Sequence, residues 1–427
     1  MYETDQNIKR RKTILVGVCL GGDDGFEVSM EELAGLAEAE GLEVVADVTQ
    51  NLASQDAACY IGSGKVQELK GLVFELDADL VVVNNQLSPS QLANLAHDLE
   101  VEVIDRTNLI LNIFADRART KEAKLQVDYA KLQYMLPRLV GLRQNLSRQG
   151  GTGGSMSNKG AGETQIELDR RRIEKDMSEL RKQLREITKN RDTQRRKRQA
   201  SGIPQVALVG YTNAGKSTLM NRLLEACCPD EEKEVMVKDM LFATLDTTVR
   251  KITPGSHRDF LLSDTVGFIN DLPHDLVDAF RSTLEEAVNA DLILEVIDCS
   301  DPNYQMHMDV TARTLKELGA GAIPVIYVMN KADRKYPLSE LPIDRGDKIY
   351  ISAASRLGLD LLLEKIEEKL FAGYITMDLI IPYTAGQVEH DLQERARVHK
   401  TSYEDDGIHM TVDLNQEMLQ RYKAYLQ

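Results

Sequence analysis

From Thr13 to Asp105, short β-branched runs take turns with stretches whose apolar residues recur every three or four positions. Thr13–Leu20, Val44–Val48, Leu80–Asn84 and Val101–Asp105 read as strands, and Met30–Gly41, Lys65–Leu76 and Ser88–Leu99 as helices. That alternation predicts a small α/β domain on a largely parallel sheet. At Lys121 the period changes. Leu125, Tyr129, Leu132, Leu136 and Leu139 keep a heptad step, as do Ile166, Ile173, Met177, Leu180, Leu184 and Ile187. Two such stripes around the glycine-rich residues 150–162 predict an antiparallel coiled-coil hairpin with a pliant tip. Beyond Pro204, strands at Val206–Val209, Phe260–Asp264, Leu292–Asp298, Ile323–Met329 and Lys348–Ile351 alternate with helices at Asp275–Asn289, Asn303–Leu318 and Leu359–Leu370. These predict a doubly wound, mostly parallel sheet with ligand loops at the strand C-termini. The tail reads as strand Leu379–Ile381, a charged helix from Gly386 to His399, strand Ile408–Leu414 and a final helix. The expected α/β parts are therefore 1–116, the hairpin 117–200, the doubly wound domain 201–372 and a small C-terminal extension 373–427.

Charge alters this picture more than composition does. The chain carries −16 overall, yet Arg117–Arg198 hold 22 Lys and Arg against 10 Asp and Glu, a local +12 that leaves −28 to the rest. An acidic body with one basic limb suits a polyphosphate partner. Around the glycine-rich tip stand Arg138, Arg143, Arg148 and Lys159, while Arg170, Arg171, Arg172 and the run Arg195–Arg198 flank the second helix. RNA contacts are expected at Arg143, Arg148, Lys159, Arg170, Arg171 and Arg172, with a plain solvated spacer as the alternative. No apolar run approaches the roughly 18 residues of a membrane span, so no membrane partner is expected. The acidic start, Met1–Gln6, lacks a leader's apolar core. Cys19, Cys59, Cys227, Cys228 and Cys299 form no C-x-x-C pair, which fits a reducing cytoplasm. A monomer is expected.

The chemistry lies in the doubly wound part. Gly210-Tyr211-Thr212-Asn213-Ala214-Gly215-Lys216-Ser217-Thr218 follows the strand Val206–Val209 and enters an amphipathic run, the context that a phosphate-binding P-loop needs. Its amides and the helix dipole form an anion cradle, with Lys216 reaching the β and γ phosphates and Ser217 ligating Mg2+. Asp264-Thr265-Val266-Gly267 ends a strand, where an aspartate meets Mg2+ through water and a glycine amide senses the γ-phosphate. Asn330-Lys331-Ala332-Asp333 follows another strand. Its aspartate accepts from both N1–H and the exocyclic amine of guanine, favouring GTP and GDP over adenine nucleotides by on the order of 10^4-fold. Ser352-Ala353-Ala354 offers an amide to the guanine carbonyl. Phe268 stands where a water-orienting glutamine would help, so the free protein should hydrolyse slowly. Gly62-Ser63-Gly64-Lys65 lacks the full phosphate-loop spacing and reads as a turn capping the next helix.

Together with Leu241-Phe242-Ala243-Thr244-Leu245-Asp246 and Gly160-Ala161-Gly162-Glu163-Thr164-Gln165, these motifs resemble the HflX GTPases of the Obg and HflX branch, over residues 13 to about 371. The resemblance implies a first switch at Phe242–Asp246 with Thr244 as Mg2+ ligand and, with Lys216 and Gly267, part of the catalytic apparatus. Spacing alone leaves Thr247 and Thr248 open for that ligand. Relatives commonly carry proline where Thr247 stands. The resemblance also implies ribosome-stimulated GTP hydrolysis, binding to the 50S subunit and its rRNA by the hairpin, and splitting of stalled 70S particles. Asn213 resembles the asparagine of GTPases that hold K+ beside the phosphates; a loop-shaping role is the alternative. Two other classes stay open: an RNA-remodelling or tRNA-modification GTPase, and a non-hydrolysing scaffold, against which Ser217, Thr244 and Asp264 count.

Overall fold

The computed structural model describes residues 10–22, 25–149, 158–200, 202–227, 248–255, 258–269 and 281–426. In the first body, β1 (Lys12–Leu20), β2 (Glu43–Leu52), β3 (Leu80–Val83) and β4 (Glu102–Asp105) form an all-parallel sheet of order β2-β1-β3-β4. Helices α1 (Phe26–Ala39), α2 (Ser63–Leu76) and α3 (Pro89–Leu99) are the crossovers, as their spacing predicts. A Ser88 and Gln91 capping box starts α3. Gly62 is the N-cap of α2, and Lys65 pairs with Glu68 at 2.9 Å, so this stretch opens a helix as expected. Helix α4 (Arg106–Arg117) was not legible: its buried Leu109, Ile110, Leu111, Ile113 and Phe114 cover more than one face and leave no stripe to read.

The hairpin helices are α5 (Lys121–Gln149) and α6 (Asn158–Ala200). The expected break at 150–162 is therefore shorter on one side, because Asn158–Gly162 are already helical. Once a long helix is nucleated, adding a turn costs little even through glycine. Residues 150–157 lie outside the described residues. The stripe Ile173, Met177, Leu180, Leu184 and Ile187 is half-buried, and Tyr129 accepts a hydrogen bond from Arg181 across the pair. The more deeply buried face of α5 is another one, Ala123, Val127, Ala130 and Tyr134, and the helix packs on α3 and α4. Arg138 differs from expectation too. It pairs with Asp105 at 2.9 Å and lies 3.3 Å over the Tyr134 ring, so it is an internal tie and not part of a basic tip.

The second body holds a seven-stranded sheet of order β10-β11-β9-β8-β5-β7-β6. Its five central strands are parallel: β11 (Lys348–Tyr350), β9 (Val325–Asn330), β8 (Leu292–Asp298), β5 (Gln205–Val209) and β7 (Phe260–Asp264). The antiparallel edges β6 (Thr248–Ile252) and β10 (Ile343–Arg345) escaped the sequence reading because both are short and polar. Helices α7 (Lys216–Cys227) and α10 (Leu359–Leu370) contribute Leu219, Leu223, Leu362 and Ile366 to the apolar cluster on one face. On the other, α8 (Arg281–Val288) and α9 (Tyr304–Glu317) contribute Ala287, Val310 and Leu315. At the C-terminal end, β12 (Ile375–Ile381), β14 (Gly407–Leu414) and β13 (Arg397–Glu404) form an antiparallel sheet, with α11 (Gly386–Arg395) and α12 (Gln416–Arg421). The charged helix expected to reach His399 thus stops at Arg395. The segment that follows is a strand whose polar, half-exposed side chains mimic a solvated helix in sequence.

Candidate functional site

The loop from β5 to α7 has a shape that only glycine permits at two points. Gly210 sits at φ +138°, where a Cβ would meet the Val296 carbonyl oxygen at 2.2 Å, and Gly215 at φ +96°, where a Cβ would meet Asn330 Nδ2 at 2.4 Å. Asn213 occupies the left-handed region at φ 58°, exposed at the loop's apex. The buried Lys216 ammonium donates to the carbonyls of Gly210 (3.0 Å) and Tyr211 (2.8 Å). Burial pushes its pKa down to about 8, against the pull of Asp264. Nearby Glu295, in register with Val209, is pushed up to about 8 by burial and by Asp309, so at neutral pH it adds little negative charge beneath the loop.

The end of β7 is laced to this loop. Ser217 Oγ donates to Asp264 Oδ2 at 2.7 Å, and Thr265 Oγ1 donates to the Leu208 carbonyl at 2.7 Å. Thr212 N–H donates to the Phe268 carbonyl (2.8 Å), and Phe268 N–H to that of Gly210 (3.1 Å). A Cβ on Gly267 would fall 2.9 Å from Thr212 Cα and 3.0 Å from Lys216 Nζ, so the aspartate–glycine motif and the lysine converge. Val266 is buried beside them. The Phe268 ring is buried among Tyr211, Ala287, Ala290 and Ile293. Tyr211 in turn stacks on His307 of α9, with centroids 3.9 Å apart and planes at 11°. Sequence reasoning missed His307, which a lone polar position on an amphipathic helix does not announce.

A third loop closes the ring. Asn330 Nδ2 donates to the Ala214 carbonyl (2.9 Å), and its Oδ1 accepts from Ala353 N–H (3.0 Å), so one amide clips the glycine loop to the Ser352–Ala354 turn. Lys331, left-handed at φ 57°, pairs with Asp298 at 2.7 Å, a partner the sequence did not suggest. Ala332 is fully buried. The Asp333 Oδ1 atom is buried without a hydrogen-bond partner among the described residues. Buried Ser352 accepts from Ser355 N–H at 3.1 Å, while Ala354 is exposed. Ser217 and Asp264 bring a hydroxyl and a carboxylate together, an all-oxygen set that fits a hard divalent cation.

Three family models match the chain in series. That for "GTP-binding GTPase N-terminal" covers residues 27–115, "GTP-binding GTPase Middle Region" 117–198 and "50S ribosome-binding GTPase" 205–331. The GTPase HflX of Caldanaerobacter subterraneus subsp. tengcongensis is 44% identical over 417 residues, 98% of this chain and 94% of its own. That of Alkalihalophilus pseudofirmus is 43% identical over 94% of this chain and 93% of its own. The chain belongs to the HflX GTPase family. It is a GTP-hydrolysing enzyme. A GTP-binding protein from Sulfolobus solfataricus, solved in complex with GDP, is 27% identical over 84% of this chain and 98% of its own, with a TM-score of 0.43.

Of the positions that the HflX resemblance singled out, Phe242, Ala243, Thr244, Leu245 and Asp246 lie outside the described residues. So do the side chains of Arg143, Arg148 and Lys159. Arg170 pairs with Glu167 and Glu174, both at 3.2 Å, and Arg171 with Glu167 at 3.1 Å, while Arg172 is exposed on the same helix. Among the described residues no helix is long and apolar enough to cross a membrane.

Proposed function

We propose that the ring of loops from β5, β7, β9 and β11 binds GTP and GDP with Mg2+, and that the protein works on the large ribosomal subunit. The residues 210–218 cradle the phosphates. Lys216 neutralises the β and γ oxygens, and Gly267 presents its amide to the γ-phosphate. Ser217 and, through water, Asp264 hold the cation, with Thr244 from the first switch. Mg2+, when bound, offsets the charge shared by the β and γ phosphates. The guanine edge is read by Asp333, with Asn330, Lys331 and Ala332 shaping its floor and Ser352, Ala353 and Ala354 its rim.

The observation that carries this reading is the open Asp333 Oδ1, three residues past the Asn330 amide that clips a loop whose two glycines tolerate no side chain. An unsatisfied buried acceptor costs roughly 1–3 kcal/mol, a cost that guanine N–H donors would remove. The part of the +12 of residues 117–198 that Asp105, Glu285 and Glu286 do not neutralise supplies the attraction to rRNA, and the four parts 1–116, 117–200, 201–372 and 373–427 are the organisation this reading assigns. With Phe268 packed inward, no side chain at that position orients the attacking water, so hydrolysis waits for order imposed by the ribosome. In the cytoplasm a monomer of this kind would split or rescue stalled 70S particles.

The test is steady-state GTP turnover with and without 50S subunits, and cosedimentation with 50S, 30S and 70S particles in GDP or a non-hydrolysable analogue. Stimulation by 50S and analogue-dependent binding are expected. Stimulation by naked RNA alone would favour the RNA-remodelling class, and no stimulation would reject both.

A further inference from the structure

The basic limb ends on the protein itself. Arg191 and Arg195 stand one turn apart on α6, and both meet α8. Arg191 Nη2 donates to Glu286 Oε1 at 3.5 Å, and Arg195 Nη1 lies 3.6 Å from Glu285 Oε2. The Glu286 side chain is only 6% exposed and that of Arg191 19%, so this pair is shielded as rim ion pairs are not. Arg195 was expected to flank the RNA-facing surface; here it faces an acidic helix instead. The next residue of α8, Ala287, is wholly buried in the cluster that contains Phe268 and Tyr211. Phe268 follows Gly267 and is tied to Thr212 and Gly210 by the two backbone hydrogen bonds described above. An ion pair, a shared apolar cluster and two backbone hydrogen bonds thus lie between the guanidinium and the phosphate loop.

We infer that Arg191 and Arg195 are positioning residues: a charged handle by which α6 fixes α8 and, through Ala287 and Phe268, the geometry of Gly267 and the phosphate loop. The link to RNA rests on the ribosome reading above, since the same unbroken helix carries Arg170–Arg172 nearer its start. A shielded ion pair suits such a handle. Removing or reversing one member of a shielded pair is felt more strongly than at an exposed rim, so α6 and α8 are coupled through it.

The experiment uses the full chain and two readouts. The first needs no ribosome: the release rate of N-methylanthraniloyl-GDP from the parent, Arg191→Glu, Glu286→Arg and the double swap. Each single reversal is expected to speed release by about five-fold, and the swap to return it to within about two-fold of the parent. The second readout is turnover with 50S subunits, in which the single variants lose about ten-fold and the swap regains it. Unaltered release in the single variants, or failure of the swap to restore it while all variants melt like the parent, overturns the inference. Where a reversal lowers the melting temperature, Arg191→Gln and Glu286→Gln complete the same cycle, and strict additivity in release rate overturns it equally. A parent that 50S does not stimulate, but whose nucleotide release follows the cycle, rejects the ribosome reading and leaves the handle standing.

Discussion

Two sheets in this chain end their parallel strands in opposite ways. At the end of β4, Asp105 is fully buried and its oxygens collect four donors: the backbone N–H groups of Leu87 and Asn108, the Tyr134 hydroxyl and the Arg138 guanidinium. Just past β9, Asp333 Oδ1 is buried with none among the described residues, and in the loop after β5 the Thr212 hydroxyl is buried in the same condition. Backbone shape follows the same division. The first sheet ends in a capping network that any ordinary fold would use, whereas the second ends in glycines that no other residue replaces. The division concerns the acceptors. Arg138 Nε is also buried without a partner among the described residues, yet both Asp105 oxygens are satisfied, whereas an open acceptor at a strand end is where a ligand's donor completes the network.

The largest effect that sharpens this contrast comes from Lys216. Lys216→Ala is expected to weaken GTP binding by several kcal/mol, about 10^3-fold, because it removes a buried charge-assisted contact. Its pH dependence has a definite sign. Burial holds the nucleotide-free pKa near 8, below its ordinary 10.5, and a bound phosphate would hold the proton on. Binding therefore takes up no proton below about pH 8 and one proton above it, so GDP affinity should be flat below about 8 and fall by up to ten-fold per pH unit above. Titration calorimetry across pH 7 to 9 checks this, and the slope should vanish in Lys216→Ala. A parent whose affinity is independent of pH would break the electrostatic account of the loop.

The closed end predicts the converse. Asp105→Ala leaves Arg138, whose side chain is 11% exposed, without its carboxylate, and should destabilise the chain by about 3–5 kcal/mol. Tyr134→Phe removes one hydroxyl donor and should cost about 1 kcal/mol. Urea unfolding followed by circular dichroism measures both, and GDP affinity of the folded variants should stay within about two-fold of the parent. A proportionate loss of GDP affinity would show that the two ends are not separate in kind.

Much of the fold was legible in advance because apolar periods mark the strands and helices, and glycine spacing marks the turns between them. Gly210, Gly215, Lys216, Asp264 and Asp333 stand where strand and helix periods said the loops would be. What escaped depends on packing or on partners far along the chain. Helix α4 is apolar on several faces, so it shows no stripe, and β13 is polar enough to pass for the end of a helix. His307 reaches the phosphate loop through its stack on Tyr211, a contact between side chains far apart in the chain. The sequence counted the charges of Arg138, Arg191 and Arg195 correctly but could not say that protein carboxylates, and not RNA phosphates, neutralise them.

The smallest lever is the most pointed. Thr212 holds its place by its backbone, through N–H to the Phe268 carbonyl, and its methyl lies 2.8 Å from where a Cβ on Gly267 would sit. Thr212→Val keeps both contacts and replaces only the unsatisfied hydroxyl with a methyl group. In the nucleotide-free protein this should stabilise by about 1 kcal/mol, since an orphaned buried hydroxyl costs that much or more. If the hydroxyl serves the ligand, GDP will raise the melting temperature of the variant less than that of the parent. Differential scanning calorimetry with and without GDP separates the two effects. A variant that melts lower than its parent without nucleotide would mean that the hydroxyl already has an internal partner, which would put the phosphate loop in the same closed class as Asp105.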